Sequence, residues 1–320
     1  MLGQTGGMRS ARTKLTVVGA GSVGVSVAYA ALIRGSAGEV ALFDIATEKV
    51  EAEVLDLSHG TQFTGPAVTG GSDPSVVDGS DIVVVTAGAK QQPGQTRMEL
   101  AATNARILES LMPTLVAHAP DAVFVIVTNP ADVMTVVAQR ATGLPASRIF
   151  GSGTVLDTSR LRWRLAQRAG VNTASVHADI VGEHGDTEFP LWSNARIGPV
   201  PILQWRGENP PFSSEELDEI AVEVRDAAYA VIRGKGATNL AIGVSCARIV
   251  EAVLHDEHAV MPVATVLDDV HGISGVALSV PSVVGAHGAR PLAETPMSEA
   301  EEGRLRSSAA AIRAALDALV

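Results

Sequence analysis

One stretch near the amino terminus constrains the fold of this chain more than any other. An apolar run over residues 15–18 leads into the spacing G-x-G-x-x-G, which begins at Gly19, and a pattern of small residues typical of a helix continues to Arg34. A second apolar run, residues 39–43, ends in Asp44. A strand, a glycine turn, a helix and a strand within about thirty residues predict a dinucleotide-binding unit.

The three glycines of this turn and the following acidic residue predict how such a ligand is held. Gly19 permits the tight turn, Gly21 lets the backbone approach a pyrophosphate, and Gly24 lets the helix pack closely against the strand. The helix then offers free N–H groups to the phosphates. Asp44, twenty residues after Gly24, is placed to accept hydrogen bonds from the adenosine ribose and to repel a 2′-phosphate, which favours NAD over NADP.

The same region also resembles a secretory signal peptide. Basic residues precede the uncharged run 15–33, and Ala28-Tyr29-Ala30 is similar to a cleavage site of small residues. Four glycines lie in or beside this run, and cleavage after Ala30 would separate Asp44 from its turn. The dinucleotide-binding interpretation is therefore favoured.

Charge and cysteine content argue against several classes of function. The formal net charge of −11 and the lack of a Lys/Arg cluster argue against nucleic acid or an anionic membrane as a partner. Cys246 is the only cysteine, which excludes an intrachain disulfide and a cysteine-based metal cluster. We predict no metal site and a cytoplasmic location. Residues 1–13 are polar and glycine-rich, which predicts a flexible leader with Met8 as an alternative start.

The length of the chain and its alternating strand and helix patterns predict two domains. With 320 residues, 46% of them hydrophobic, the chain can build a large core. The runs 81–86 and 122–128 are continuously apolar, as in strands buried on both faces of a parallel sheet. We therefore predict an α/β fold: a Rossmann-type doubly wound parallel sheet over residues 14–151, then an α+β substrate domain over residues 152–320.

The second half mixes long helical patterns with shorter strand-like segments. The helical patterns cover 154–168, 214–233 and 238–255, and the strand-like segments cover 171–181, 189–197, 260–267 and 274–284. Ser213 and Ser298 each stand three residues before a glutamate, which predicts two capping boxes, the second at the start of a last helix. No internal repeat or low-complexity linker divides the chain, so we expect a tight interface between the domains.

Polar residues gather where ligands of such sheets bind, beyond the carboxyl ends of the strands. The loop 87–97 follows one apolar run and ends in an arginine, and Asn129 follows the next run. Asp157 and Arg160 are three apart and share a helical face, and His184 stands in a glycine-flanked turn. Taken singly, these features equally suit a solvated loop, a helix cap, a surface ion pair and a bystander histidine.

Together the segments GAGSVG, TNPAD, GTVLDTSR and GEHGDTE resemble the lactate/malate dehydrogenase family, and within it the bacterial L-lactate dehydrogenases. The resemblance covers residues 14–320 and implies NADH-dependent reduction of pyruvate to L-lactate. It implies that His184 is the acid/base, that Asp157 orients the histidine ring, and that Arg160 clamps the substrate carboxylate. Arg97 is implied to polarise the reacting carbonyl under a closed lid.

The resemblance assigns further contacts on both sides of the reaction. Its implied substrate contacts include Gln91, Asn129, Asp132 and Thr238. Its implied cofactor contacts, besides Gly19, Gly21, Gly24 and Asp44, are Val23, Lys49, Gly88, Ala89, Ser110, Thr128, Asn129 and Ser152. Asn239-Leu240 departs from the aromatic residues of many relatives, so the pocket is expected to be less tightly shaped.

Gln91 bears on the choice of substrate. Malate enzymes of the family carry an arginine at this position, and a neutral amide cannot pair with the second carboxylate of oxaloacetate. Pyruvate is therefore the expected substrate, although a malate or other 2-hydroxy-acid dehydrogenase and a catalytically silent NAD-binding protein remain alternatives.

Two further positions match relatives that respond to fructose 1,6-bisphosphate. Arg162 stands two residues after Arg160, and His177 stands seven residues before His184. The resemblance implies a homotetramer in which these side chains meet across a subunit interface and hold the phosphates of this activator. The alternative is that Arg162 is an exposed helix charge and His177 an interface packing residue.

Overall fold

The structure, a computed structural model, describes residues 13–89 and 97–319. Its strands are, in chain order, β1 (Lys14–Val18), β2 (Glu39–Phe43), β3 (Ala67–Gly71), β4 (Ile82–Val85), β5 (Val123–Ile126), β6 (Ile149–Gly151), β7 (Val176–His177), β8 (Ile180–Val181), β9 (Phe189–Pro190), β10 (Arg196–Ile197), β11 (Val200–Pro201), β12 (Ala259–Val266), β13 (Ala277–Gly285) and β14 (Gly288–Pro291). Its helices are α1 (Ser22–Arg34), α2 (Thr47–His59), α3 (Arg97–His118), α4 (Ala131–Thr142), α5 (Val155–Ala169), α6 (Ser214–Lys235), α7 (Leu240–Leu254) and α8 (Glu299–Asp317).

The first six strands form the predicted doubly wound parallel sheet. They lie in the order β3-β2-β1-β4-β5-β6, and every neighbouring pair is parallel. Side chains of β4 alternate between two cores: Val83 and Val85 pack in the core that includes Leu108 of α3, while Ile82 and Val84 pack in the core that includes Val27 of α1. Burial on both faces explains why the strand runs are continuously apolar.

The same sheet continues into the second half of the chain. Strands β12, β13 and β14 add to it in antiparallel pairs, and Ala264 of β12 lies opposite Gly151 of β6. This pairing covers what would otherwise be an open edge of backbone hydrogen-bonding groups. The two predicted domains are therefore joined by one sheet, and the exact boundary at residues 151/152 stays a prediction.

The glycine turn has the predicted conformation. Gly19 has φ +102°, a left-handed value that favours glycine. A Cβ on Gly24 would lie 1.8 Å from the Gly19 carbonyl oxygen, so α1 packs against the turn only because this position has no side chain. At Gly21 a Cβ would meet open space, so the protein itself does not require that glycine. The predicted reason for a glycine at position 21 is the close approach of a pyrophosphate, which is a property of the bound ligand.

One of the two predicted capping boxes is complete. Ser298 accepts a hydrogen bond from the Glu301 N–H, and the Glu301 side chain accepts one from the Ser298 N–H. Ser213 accepts from the Glu216 N–H, but the carboxylate of Glu216 pairs with Arg168 of α5 instead of returning to the cap. The ion pair with Arg168 therefore replaces the second hydrogen bond of the predicted capping box.

No helix among the described residues is both long enough and apolar enough to cross a lipid bilayer.

Candidate active site

Asp44 lies at the end of β2, where it is bonded to the glycine turn. Its Oδ2 accepts a hydrogen bond of 2.7 Å from the Ala20 N–H, and its Oδ1 accepts one of 2.9 Å from the Ala46 N–H. These bonds fix the carboxylate beside the turn and leave each oxygen with a second lone pair for a hydroxyl group. The tight turn, the Cβ-free contact at Gly24 and this carboxylate fit a bound NAD.

Asn104 joins the loops that follow β4 and β5, and it was not predicted. Its side chain, 2% exposed, accepts from the Ala89 N–H at 2.8 Å and donates to the Asn129 carbonyl oxygen at 2.7 Å. Thr128 adds a second link by donating to the Ala87 carbonyl oxygen at 2.7 Å. An asparagine on the apolar face of α3 was the available signal in the sequence.

His184, Asp157 and Arg160 form one hydrogen-bonded group. Asp157, 1% exposed, lies in the first turn of α5 and uses both carboxylate oxygens. Oδ2 lies 2.7 Å from Nδ1 of His184, and Oδ1 lies 2.6 Å from a terminal nitrogen of Arg160. Because Asp157 engages Nδ1, Nε2 is the ring nitrogen left for proton exchange.

The backbone of His184 is tied to the carboxyl end of β5. Asp132, in the first turn of α4, accepts a hydrogen bond of 2.6 Å from the His184 N–H. Gly182, just before this turn, exchanges two backbone hydrogen bonds of 2.9 Å with Ser279 of β13. Two elements distant in sequence therefore position the histidine. Asp132 is 2% exposed, and its predicted contact with substrate stays a prediction.

The charges around His184 favour its protonated form. Burial by itself would lower the pKa of the imidazole, but the charge and hydrogen bond of Asp157, together with Asp132 and Glu188, raise it to about 9. Burial would likewise raise the pKa of Asp157, but His184 and Arg160 hold it below its ordinary value. Burial raises the pKa of Asp132 to about 7 against the opposing charge of His184. At neutral pH the histidine can therefore donate a proton.

Glu188 is a second residue that was not predicted, although it ends the segment GEHGDTE. One of its oxygens, one Asp157 oxygen and one His184 ring nitrogen all lie within 4.8 Å of one another. Burial, with the nearby charge of Asp157, raises the pKa of Glu188 to about 8. A carboxyl group with this environment is a candidate functional residue on physical grounds alone.

For the other predicted substrate and cofactor contacts, the structure gives a position and a degree of burial. Ser152 is buried after β6, Val23 is partly buried in α1, Lys49 is exposed on α2, and Thr238 is half-buried between α6 and α7. Ser110 is exposed and donates to the Ile107 carbonyl oxygen of its own helix. These roles stay predictions. Gln91 and the side chain of Arg97 lie outside the described residues.

Asn239, noted above as a departure from the family, serves as a link between helices. Its amide donates to the Ser26 hydroxyl of α1 at 3.0 Å and accepts from the Lys235 ammonium group of α6 at 2.7 Å. The side chain thus joins the start of α7 to the helix of the glycine turn.

Arg162 of α5 lies against the segment that follows His177. Arg162 donates to the Ala178 carbonyl oxygen at 2.9 Å and to the Asp179 carboxylate at 2.7 Å. His177 is exposed in β7. No described hydrogen bond or ion pair joins the two side chains within this chain, and the predicted allosteric site stays a prediction.

Comparisons with known proteins agree along nearly the whole chain. Residues 13–151 match the lactate/malate dehydrogenase NAD-binding domain, and residues 154–320 match the alpha/beta C-terminal domain of the same family. An L-lactate dehydrogenase of Bifidobacterium animalis subsp. lactis is 48% identical, with 94% of this chain and 95% of that protein covered. One from a Synechococcus strain is 44% identical, with 96% and 99% covered.

Two solved structures have the same fold. A lactate dehydrogenase from a Medee basin deep-sea metagenome library superimposes with a TM-score of 0.91 at 36% identity, covering 97% of this chain and 99% of that one. A minor L-lactate dehydrogenase from Enterococcus mundtii, in a ligand-bound form, also gives a TM-score of 0.91, at 38% identity, covering 95% and 98%.

Proposed function

The chain belongs to the lactate/malate dehydrogenase family and is an NAD-dependent oxidoreductase, and from this premise we propose that it reversibly reduces pyruvate to L-lactate. The hydrogen-bonded group of His184, Asp157 and Arg160 is the observation that carries the proposal. Its relatives named as L-lactate dehydrogenases support the choice of substrate. A catalytically silent NAD-binding protein would not need a buried carboxylate that orients both an imidazole and a guanidinium.

Each member of this group has a distinct part in the reaction. When bound, the nicotinamide cofactor supplies the hydride. Protonated His184 donates its Nε2 proton to the ketone oxygen, and in the reverse direction neutral His184 accepts the proton of the alcohol. Asp157 orients the ring and stabilises the imidazolium. Arg160 holds the substrate carboxylate through parallel hydrogen bonds from its planar guanidinium.

The direct test is NADH oxidation with pyruvate and with oxaloacetate. We expect kcat/KM to be about a hundredfold higher with pyruvate, because neutral Gln91 leaves the second carboxylate of oxaloacetate unpaired under the lid. Higher efficiency with oxaloacetate would instead support a malate dehydrogenase. No turnover of either substrate, with NADH binding intact, would support a silent binding protein.

Asp44 is expected to set the preference for NADH over NADPH. In Asp44→Asn the amide oxygen can still accept from the Ala20 N–H, but the negative charge that repels a 2′-phosphate is gone. The ratio of kcat/KM for NADH to that for NADPH should therefore fall about tenfold or more in this variant. Glu48→Gln, which removes an exposed charge from the first turn of α2, is the matched control and should leave the ratio unchanged. An unchanged ratio in Asp44→Asn would contradict the assignment.

We also propose that fructose 1,6-bisphosphate activates a homotetramer through Arg162 and His177. The support is the match of both residue types at both spacings and the position of Arg162 on α5, two residues from Arg160. A doubly phosphorylated ligand that binds Arg162 can shift this helix and so change the placement of Arg160. We propose a cytoplasmic location as well, on the basis of the resemblance.

The allosteric proposal predicts a change in substrate affinity. With the sugar bisphosphate, the apparent KM for pyruvate should fall about tenfold, a size typical of coupling between two sites. Arg162→Leu should abolish this response, whereas Arg164→Leu, on the same helix, should retain it. The measurements are pyruvate saturation curves with and without the sugar, and light scattering for the subunit number. An unresponsive wild-type enzyme would remove the allosteric site and leave the catalytic proposal standing.

A further inference from the structure

We propose that Glu188 is a positioning residue that controls substrate binding through its charge: the neutral carboxyl group leaves Arg160 available to the substrate carboxylate, and the ionised group opposes substrate binding. This inference rests on the proposed reduction of a 2-keto acid. It gives a role to a side chain that the mechanism above does not use.

The first support is the position of the Glu188 carboxyl group. It belongs to the turn that carries His184, and one of its oxygens lies within 4.8 Å of an Asp157 oxygen and of a His184 ring nitrogen. Its Oε1 is buried and has no hydrogen-bond partner among the described residues. A buried carboxylate oxygen without a partner is costly, so the environment disfavours the ionised form.

The second support is the set of charges that face Glu188. Asp157 and Arg160 face it from α5, His184 faces it from its own turn, and Arg225 lies within electrostatic range on α6. Arg225 is exposed and hydrogen-bonded to Asp226, so solvent screens its attraction. Asp157 already engages both His184 and Arg160 at close range. Among the groups that face Glu188, the two partly buried cations, His184 and Arg160, therefore have one carboxylate partner before any substrate arrives.

The substrate completes this balance of charge. Of the groups that face Glu188, protonated His184 and Arg160 contribute two positive charges, while Asp157 and the substrate carboxylate contribute two negative charges. Asp132, which accepts from the His184 backbone N–H and whose pKa burial raises to about 7, lies outside this set and is the same in wild type and in a Glu188 variant. An ionised Glu188 would add an uncompensated negative charge in a space where its own Oε1 and the Asp157 carboxylate are already buried. Like charges repel strongly in a low-dielectric site, so Glu188 must stay neutral for tight substrate binding.

The test compares pH profiles of wild type and Glu188→Gln. The glutamine keeps the shape of the side chain but cannot ionise. Because the pKa of Glu188 is raised to about 8, wild-type kcat/KM for pyruvate should decline at high pH with the loss of one more proton than in the variant, and this proton comes from Glu188. His184, with a pKa of about 9, and Asp132, with a pKa of about 7, are present in both proteins. Between pH 6.5 and 9 the variant should therefore lose about tenfold less in kcat/KM than wild type, mainly through KM.

Glu223→Gln is the matched control. Glu223 is an exposed α6 carboxylate whose pKa the hydrogen bond from Arg164 of α5 holds below its ordinary value, so it does not titrate in this range. This variant should reproduce the wild-type profile. A general change in net charge would move the profiles of both variants alike, whereas the proposed role moves only that of Glu188→Gln.

Other outcomes would overturn the inference. Parallel profiles in wild type and Glu188→Gln would show that the ionisation of Glu188 does not affect substrate binding. A variant with a raised KM at every pH would show that the carboxyl group of Glu188 is needed for substrate binding in either charge state, which contradicts a role through its charge. Absence of pyruvate turnover in wild type would instead overturn the proposed function, and this inference with it.

Discussion

Replacing His184 by alanine is expected to lower kcat for pyruvate reduction by about three to four orders of magnitude, at the upper end of what a general acid contributes. The ring is the proton donor in the proposed reaction, and Asp157 holds it by a 2.7 Å hydrogen bond at Nδ1. The glycine turn and Asp44, which are predicted to hold the cofactor, make no described hydrogen bond to the imidazole. NADH affinity should therefore change little while turnover is lost.

Two measurements separate these effects. Fluorescence titration gives the Kd for NADH, and steady-state oxidation of NADH gives kcat. His255→Ala, which removes an exposed histidine after α7, is the control for a general effect of losing an imidazole and should keep normal turnover. Turnover within tenfold of wild type in His184→Ala would disprove the proton-transfer role.

Arg160→Lys is expected to lower kcat/KM for pyruvate by about two to three orders of magnitude, because a lysine cannot make two parallel hydrogen bonds to a carboxylate. The side chain of Arg160 is only 18% exposed and is oriented by a 2.6 Å hydrogen bond to Asp157. A lysine keeps the positive charge but loses this planar geometry. The substitution therefore separates geometry from charge.

Arg164→Lys is the matched control for this prediction. Arg164 lies one turn further along α5, where it is more exposed and pairs with Glu223 of α6. Exposed ion pairs contribute little, so kcat/KM should stay within about twofold of wild type. Equal losses in both variants would mean that the helix, not the clamp, was damaged. An unchanged kcat/KM in Arg160→Lys would remove the bidentate clamp from the mechanism.

Local sequence patterns were sufficient to predict the parallel sheet and the glycine turn. The strand segments are continuously apolar because both faces of the sheet are buried, so the residue types alone indicate these strands. The need for glycine at position 24 could also be predicted, since any side chain there would clash with the Gly19 carbonyl oxygen. The Ser298 capping box depends on residues three apart and was also predicted correctly. These features involve contacts that short segments make with themselves or with a uniform core.

The grouping of His184 with Asp157 could be predicted only through the resemblance. Helical spacing places Asp157 and Arg160 on one face, but nothing local says that a residue 27 positions later reaches the same carboxylate. The incomplete cap at Ser213 shows the opposite case. There the local pattern was present, and an ion pair between Glu216 and Arg168 changed the outcome.

The sequence by itself determined the strand and helix patterns, the glycine turn with Asp44, and the residue types available for acid/base chemistry. Tertiary structure decided which of those residues share one space. Asn104 joins two loops, Asp132 holds the backbone of His184, and Glu188 approaches Asp157 only because distant segments pack together. The physical reason is that the interaction between two residues and the charge state of each depend on their distance and burial. Folding of the whole chain sets both quantities.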